Sequence, residues 1–533
     1  MKPIDQVRTW QQLQEHPDIW DIIVIGGGIT GVGILREAAR LDLKCLLLEQ
    51  KDFSWGTSSR SSKMVHGGLR YIAQGDIKLT KHSVHERERL IREAPGLVQR
   101  LGYLFPIRKG QIPGKLLFNS LLKIYDKLAG IKTQKYFNSR KLLERVSGLN
   151  PENLKGASYY TDAITDDSRL VLRVLHEAIE AGAEALNYCC ADSLLFDDQG
   201  QVNGLIVRND INGETLKLES KVVINATGAW VDGLREAVSG ERNIRPLRGS
   251  HIIIPHRFAP VEDALTLFHP QDKRAVFIFP WENTTVIGTT DLDHDSDLNQ
   301  EPSISAQELD YLLLLAQQQF PKSNISKDTI ISTFAGVRPV ISKDRTKAPS
   351  KEKRDHQVWV DKGLVSVSGG KLTTFRLIAL DTLKAALSQM GRSDASFLFS
   401  DKNSIITPAN ITPADLDLDD TSLAARLIGC YGNAAEDLVR NARSGELACI
   451  KRTRFCLAEV RWCAANESVQ KLDDLLLRRT RLGLLLDQGG YELFPAIEKI
   501  CREELNWNNE TWQAEVTRYQ TLWQQHYYLP ETT

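Results

Sequence analysis

No surplus of either charge, no paired cysteines, no leader-like start and no long apolar run mark this chain of 533 residues. Its formal net charge is −1, so the basic excess of a general nucleic-acid binder is missing and no nucleic-acid partner is expected. Electrostatic function has to come from local patches. The cysteines, at 45, 189, 190, 430, 449, 456, 463 and 501, include no C-x-x-C pair and no cysteine–histidine spacing suited to zinc. Reduced thiols in a cytosolic compartment are expected, and no metal centre. Residues 1–20 are polar and carry Pro17, and no apolar core follows a basic start, so no signal peptide is expected. No apolar stretch reaches the roughly eighteen residues a spanning helix needs. If the chain meets a membrane, it lies on it, at the cytoplasmic face.

What is present suits a large globular protein: 42% hydrophobic and 25% charged residues supply material for a sizeable core. At roughly 150 residues per domain, two to four units are expected. The first clear motif follows the apolar run Ile22-Ile23-Val24-Ile25, which reads as a buried parallel strand. It opens into Gly26-Gly27-Gly28-Ile29-Thr30-Gly31, where Gly26, Gly28 and Gly31 fit G-x-G-x-x-G. The three glycines allow a tight turn, close approach of a pyrophosphate and close helix–strand packing. A helical pattern through Ile34, Leu35, Ala38 and Ala39 follows, then a second strand, Cys45 to Leu48, ending at Glu49. An acid about 20 residues on is where a ribose hydroxyl needs an acceptor.

The fingerprint fits FAD and NAD equally. A second glycine turn, Gly369-Gly370, precedes another helical run at Leu372, Leu377, Ile378 and Leu380. Two glycine-rich helix starts far apart in sequence suit the long FAD molecule better, the second donating amides to the electron-rich end of the reduced ring.

Four further segments narrow the reading. They are Thr57-Ser58-Ser59-Arg60-Ser61-Ser62-Lys63 with His66-Gly67-Gly68-Leu69-Arg70-Tyr71; Asn225-Ala226-Thr227-Gly228-Ala229-Trp230; Arg248-Gly249-Ser250-His251; and Gly336-Val337-Arg338-Pro339 with Gly369-Gly370-Lys371-Leu372-Thr373-Thr374-Phe375-Arg376. In this order they resemble the FAD-dependent glycerol-3-phosphate dehydrogenases of the aerobic, respiratory type, from about residue 20 to the C-terminal end. The resemblance implies an α/β protein: a Rossmann-like FAD domain of the glutathione-reductase/D-amino-acid-oxidase type, a mixed-sheet substrate domain and a C-terminal helical domain. It implies FAD as cofactor, sn-glycerol 3-phosphate as substrate and a membrane quinone as electron acceptor.

Cofactor contacts are expected from Gly26, Gly28, Gly31, Glu49, Thr57, Ser58, Ser62, Lys63, His66, Gly67, Ala226, Thr227, Gly228, Gly369, Gly370, Lys371, Leu372 and Thr373. A phosphate ester calls for cations, arginine best of all because its planar fork matches phosphate oxygens in pairs. Arg70, Arg338, Arg354 and Lys371 are the candidates, with Tyr71 as a hydroxyl donor. Oxidation of a secondary alcohol also needs a base for the hydroxyl proton. His251 is the candidate, since imidazole titrates near working pH, with Arg338 stabilising the forming alkoxide. Three other readings stay open at this point: a glycerol-phosphate oxidase using oxygen, an amino-acid or amine oxidase, and a flavin-binding membrane scaffold without turnover.

Between residues 113 and 146, eight lysines and arginines alternate with leucines and aromatics, and Asp126 and Glu144 are the only acids. Leu117, Leu121, Ile124 and Leu128 share one helical face, a pattern suited to an anionic membrane surface. A core-facing helix with a solvated basic back is the alternative. The expected organisation is a polar extension over 1–20; an FAD domain from 21–75, 150–245 and 330–385; a substrate- and membrane-facing domain from 76–150 and 245–330; and a helical domain over 405–533. The strands of the second unit are expected at 276–279 and 286–291. Asp166 and Asp167 are as much candidates for a helix cap as for a site. The helical domain, with its Arg478-Arg479-Thr480 run, is expected to provide homodimer contacts or to shield the active site.

Overall fold

Three apolar strands from distant parts of the chain lie side by side in the computed structural model, which describes residues 2–73, 75–342, 352, 355–392 and 403–530. Trp20–Ile25 pairs in parallel with Cys45–Leu48 on one side and with Thr215–Asn225 on the other. Leu364–Gly369 continues the sheet beyond Thr215–Asn225, and Glu184–Leu186 continues it beyond Cys45–Leu48, both in parallel. Parallel strands need both faces covered. Accordingly Ile22, Ile23, Val24, Leu46, Leu47 and Leu48 are fully buried.

The helix Ile29–Ala39 covers one face, packed between helices Asp167–Glu180 and Phe375–Gln389. Glycine lets it come close. A Cβ at Gly31 would stand 1.8 Å from the Gly26 carbonyl oxygen, and one at Gly33 would meet the Phe375 ring at 2.9 Å. The turn, the helix and the sheet therefore fix one another's positions.

A second, mixed sheet stands beside the first. Its order runs Leu292–Asp293, Ile244–Pro255, Thr284–Gly288, Ala275–Trp281, Ala264–Phe268, Gln99–Arg108, Leu154–Ile164 and Met64–Val65. Ser332–Ile341 pairs along the length of Ile244–Pro255, setting His251 opposite Phe334 and Leu247 opposite Arg338. Leu154–Ile164 and Ser332–Ile341 thus belong to this sheet, although their place in the sequence grouped them with the first. The strand expected to reach residue 291 ends at Gly288, which leaves Asp291 outside it.

Beyond residue 403 the chain is helical, with Thr421–Tyr431, Leu457–Asn466, Phe494–Glu504 and Asn509–His526 as the main helices. Arginines at one end of this unit bind the first domain. Arg479 donates to Asp52 at 2.6 and 2.8 Å, and Arg481 to Asp166 at 3.0 Å, all four side chains being buried or nearly so. The N-terminal segment, read from the sequence as a polar extension, forms the helix Gln6–Glu15 against the edge strand Glu184–Leu186. Thr9 donates to Glu184 at 2.9 Å and Trp10 to Glu214 at 2.7 Å.

The basic segment is not one helix. It folds as helix Lys115–Ala129, strand Lys135–Asn138 and helix Ser139–Arg145. The first of these buries Phe118, Leu122, Tyr125 and Ala129. Leu117 and Ile124 of the expected apolar face point outward, joined by Leu116 at 83% exposure and the preceding Ile112 at 85%. Among the described residues no helix is long and apolar enough to cross a membrane.

Candidate active site

The segment from Thr57 to Tyr71 touches the fingerprint helix at Ser58, the strand of Arg338 at Thr57, His251 at Ser62 and Thr373 at His66, which makes it a common wall of the site. At its start, Ser58 Oγ accepts the Ile29 amide at 2.9 Å, at the first turn of the fingerprint helix. Glu49 accepts the Gly27 amide at 2.7 Å and that of Lys51 at 2.8 Å. Burial nevertheless holds its carboxyl above the usual glutamate range. The turn Ala226–Gly228 closes this end: a Cβ at Gly26 would lie 2.6 Å from the Ala226 carbonyl oxygen. Ser368 Oγ donates to Gly228 O at 2.9 Å, tying the turn to the neighbouring strand. Gly28, at the N-cap, has no side chain of its own to fill the helix start. A glycine surface at a helix start and a carboxylate at the end of the second strand fit a dinucleotide's pyrophosphate and ribose.

Further along, Thr57 donates to the Val337 carbonyl and so joins the wall to the strand that carries Arg338. Ser62 Oγ lies 2.8 Å from His251 Nε2. The imidazole is buried, with Phe334 stacked on it at 4.5 Å between centroids and an 8° angle between planes. Gly288 makes the room, since a Cβ there would meet His251 Cδ2 at 2.2 Å. Burial, and then the positive charges of Arg338 and Lys63, hold the His251 pKa well below 6.5. The ring is an unprotonated base at neutral pH. Arg338 is held in place by two donations of 2.8 Å, to Asp291 Oδ1 and Thr289 Oγ1.

At the far end, His66 and Thr373 hold each other: the His66 amide donates to Thr373 Oγ1 at 3.1 Å, and that hydroxyl donates to His66 O at 3.0 Å. Gly369 and Gly370 take φ of +81° and +79°, a left-handed turn open to glycine, just before the helical start at Leu372. Lys371 Nζ stands 4.2 Å above the ring of the buried Tyr71.

The expected site residues thus fall into three joined clusters: the pyrophosphate end, the His251–Arg338 pair, and the Lys371–Tyr71 end. Two of the expected cofactor contacts are engaged with the protein's own groups. Gly67 packs under helix Lys115–Ala129, where a Cβ would meet the Tyr125 hydroxyl at 2.3 Å. Lys63 is fully buried, and its ammonium lies 2.8 Å from Asp167 and 2.9 Å from Ser59 O. Arg354 and the side chain of Arg70 lie outside the described residues. The sequence reading missed Phe334, Thr289 and Asp291. The last two stood in the sequence only as the end of a strand expected to reach residue 291.

Residues 21–379 match the family described as FAD dependent oxidoreductase, and residues 413–512 match the C-terminal domain of alpha-glycerophosphate oxidase. The chain is 33% identical over 487 residues to the aerobic glycerol-3-phosphate dehydrogenase of Staphylococcus haemolyticus, covering 86% of each. Against the same-named protein of Staphylococcus aureus it is 32% identical over 486 residues, covering 87% of each. Among solved structures it is similar to the glycerol-3-phosphate dehydrogenase from Bacillus halodurans complexed with FAD, with a TM-score of 0.77 and 27% identity over 97% of both chains. The dithionite-reduced L-alpha-glycerophosphate oxidase from Mycoplasma pneumoniae with FAD bound shares the fold, with a TM-score of 0.54 and 16% identity over 69% of this chain and 95% of that one.

Proposed function

The chain belongs to the FAD-dependent oxidoreductases, and among them to the family of the aerobic glycerol-3-phosphate dehydrogenases, and on that premise we propose that it oxidises sn-glycerol 3-phosphate to dihydroxyacetone phosphate. FAD, when bound, would supply the hydride acceptor, and a membrane quinone would take the electrons onward. One observation carries the reading: an unprotonated, buried His251 beside a guanidinium fixed by two hydrogen bonds. A base and a fixed cation are what loss of hydride from an alcohol carbon requires.

His251 takes the hydroxyl proton through Ser62: the serine hydroxyl, 2.8 Å from Nε2, gives its proton to the unprotonated ring and receives that of the substrate. Arg338 faces the oxygen where negative charge develops. Lys371 and Tyr71, joined by Arg70 and Arg354 as sequence candidates, take the phosphate. Gly26, Gly28, Gly31, Glu49, Thr57, Ser58 and Ala226–Gly228 hold the pyrophosphate and ribose, and Gly369–Thr373 faces the ring end.

The outward residues Ile112, Leu116, Leu117 and Ile124, with exposed Lys115, Lys123 and Lys127 around them, support peripheral attachment to an anionic membrane surface. Such a placement would give the enzyme access to a membrane quinone as acceptor. Anaerobic mixing of purified holoenzyme with sn-glycerol 3-phosphate is expected to bleach the flavin band within the turnover time, while glycerol and amino acids leave it unchanged. Absence of bleaching in a flavin-loaded sample would sink the proposal. Reoxidation by oxygen as fast as by a quinone would instead favour an oxidase.

A further inference from the structure

One buried carboxylate organises the wall of the site. Asp167, fully buried in the first turn of helix Asp167–Glu180, accepts the Ser61 amide at 2.9 Å and the Ser61 hydroxyl at 2.7 Å. It also accepts the Lys63 ammonium at 2.8 Å and the guanidinium of Arg481 from the helical domain. Arg481 Nη1 donates to Ser59 O at 3.2 Å, the same carbonyl that Lys63 Nζ reaches at 2.9 Å. The backbone from Ser59 to Lys63 is therefore pinned on both sides of Ser62, the residue that meets His251. The Lys63 ammonium also stands 4.8 Å from the centroid of Phe334, the ring stacked on His251. The helical domain reaches that strand again, where the Thr333 amide donates to Tyr527 O at 2.8 Å and the Thr333 hydroxyl to Tyr528 O at 3.0 Å.

We infer that Asp167, gripped by Arg481 of the helical domain, is a positioning residue for His251, acting through Lys63 and Ser62. The inference rests on His251 being the base. Charge-assisted hydrogen bonds inside a low-dielectric core hold a loop in one geometry. Proton transfer is sensitive to displacements of about 1 Å, so that geometry reaches the rate. The charges facing His251 are Arg338 and Lys63. Those facing Asp167 are Lys63 and Arg481, with Asp166 alongside, itself bound by Arg481.

The test is a double-mutant cycle on the holoenzyme, read as the anaerobic rate of flavin reduction by sn-glycerol 3-phosphate. Asp167→Asn and Ser62→Ala are each expected to slow reduction by about tenfold, with FAD content and substrate affinity kept. Because the two lie on one path, the double variant should be no slower than the slower single. Lys63→Met is expected to move the acid limb of the pH profile upward, since one of the two cations opposing protonation of His251 is gone. A purely structural role would lower the rate and leave that limb in place. Losses that multiply in the double variant, or an unmoved limb, overturn the inference. If Asp167→Asn fails to fold, Ser61→Ala enters the same cycle, because it removes a single donor to that carboxylate. Undiminished reduction in His251→Asn would instead refute the base assignment, a separate outcome from multiplied losses.

Discussion

His251 has lost its water and stands near two cations, and both facts set its response to pH. Burial acts first, then Arg338 and Lys63, to keep the ring unprotonated until well below pH 6.5. A base must be unprotonated to work, so kcat/KM is expected to stay level from pH 6.5 through neutrality and to fall only on the acid side. A profile with its acid limb at or above 6.5 would assign the base elsewhere. His251→Asn should lower kcat by about 10² to 10⁴ while KM changes little, as steady-state kinetics would show. At this scale the sequence was readable wherever a motif is local. The glycines and Glu49 stood out by spacing, and the Gly27 amide on Glu49 sets that carboxylate beside the glycine turn. Partnerships across the chain were not readable. Ser62 was assigned to the cofactor, and its contact with His251 spans 189 positions. Asp291 had no pattern to mark it, because its partner Arg338 lies 47 positions away in sequence.

Helix Lys115–Ala129 shows how periodicity can find an element and leave its orientation open. Apolar residues occupy two neighbouring stripes. The reading from spacing chose Leu117, Leu121, Ile124 and Leu128, whereas the fold buries Phe118, Leu122, Tyr125 and Ala129, each one position later. One residue along a helix is a rotation of about 100°. The core took the stripe carrying the aromatic rings, with Phe118 stacked on Phe105 at 4.1 Å, and left Leu117 and Ile124 of the aliphatic stripe outside, with Leu121 and Leu128 half-buried. Each exposed leucine or isoleucine moved into lipid contributes about 1.5–3 kcal/mol. The pair Leu117→Ser and Ile124→Ser should therefore weaken binding to anionic vesicles by at least about tenfold in a sedimentation assay. Lys123→Glu with Lys127→Glu should weaken binding to anionic vesicles and make little difference with zwitterionic ones. Equal binding by all these proteins would remove this helix from the membrane surface.

Across the whole molecule, the arginines of the helical domain decide how the parts hold together. The run Arg478-Arg479-Thr480 was visible in the sequence, where it suggested oligomer contacts or shielding. Three arginines within four residues read as surface until carboxylates from elsewhere are brought to them. Asp52, Asp166 and Asp167 do that, and the arginines become core. Arg479→Ala leaves Asp52 buried with fewer donors, a change that costs about 3–5 kcal/mol, measurable as a shift in denaturant midpoint at unchanged slope. A loss below about 1 kcal/mol would mean that Arg478 and Asn187, whose amide donates to Asp52 at 3.0 Å, suffice for that carboxylate. The α/β class and the helical C-terminal unit were legible because each element carries its own period. The pairing of Leu154–Ile164 and Ser332–Ile341 with the second sheet was not, since strand neighbours in a discontinuous domain are chosen by tertiary packing.

The order of the first sheet also sets a timetable for biosynthesis. Trp20–Ile25 leaves the ribosome early, yet one of its two neighbours is Thr215–Asn225, which in turn waits for Leu364–Gly369. At about 5–20 residues per second, the interval between the first and last of these strands is roughly 17–70 s. Throughout it the most apolar strands of the protein have an unpaired edge, the condition in which nascent chains aggregate. Translation speed and chaperone occupancy during that minute therefore govern how much of this protein ever reaches the cofactor.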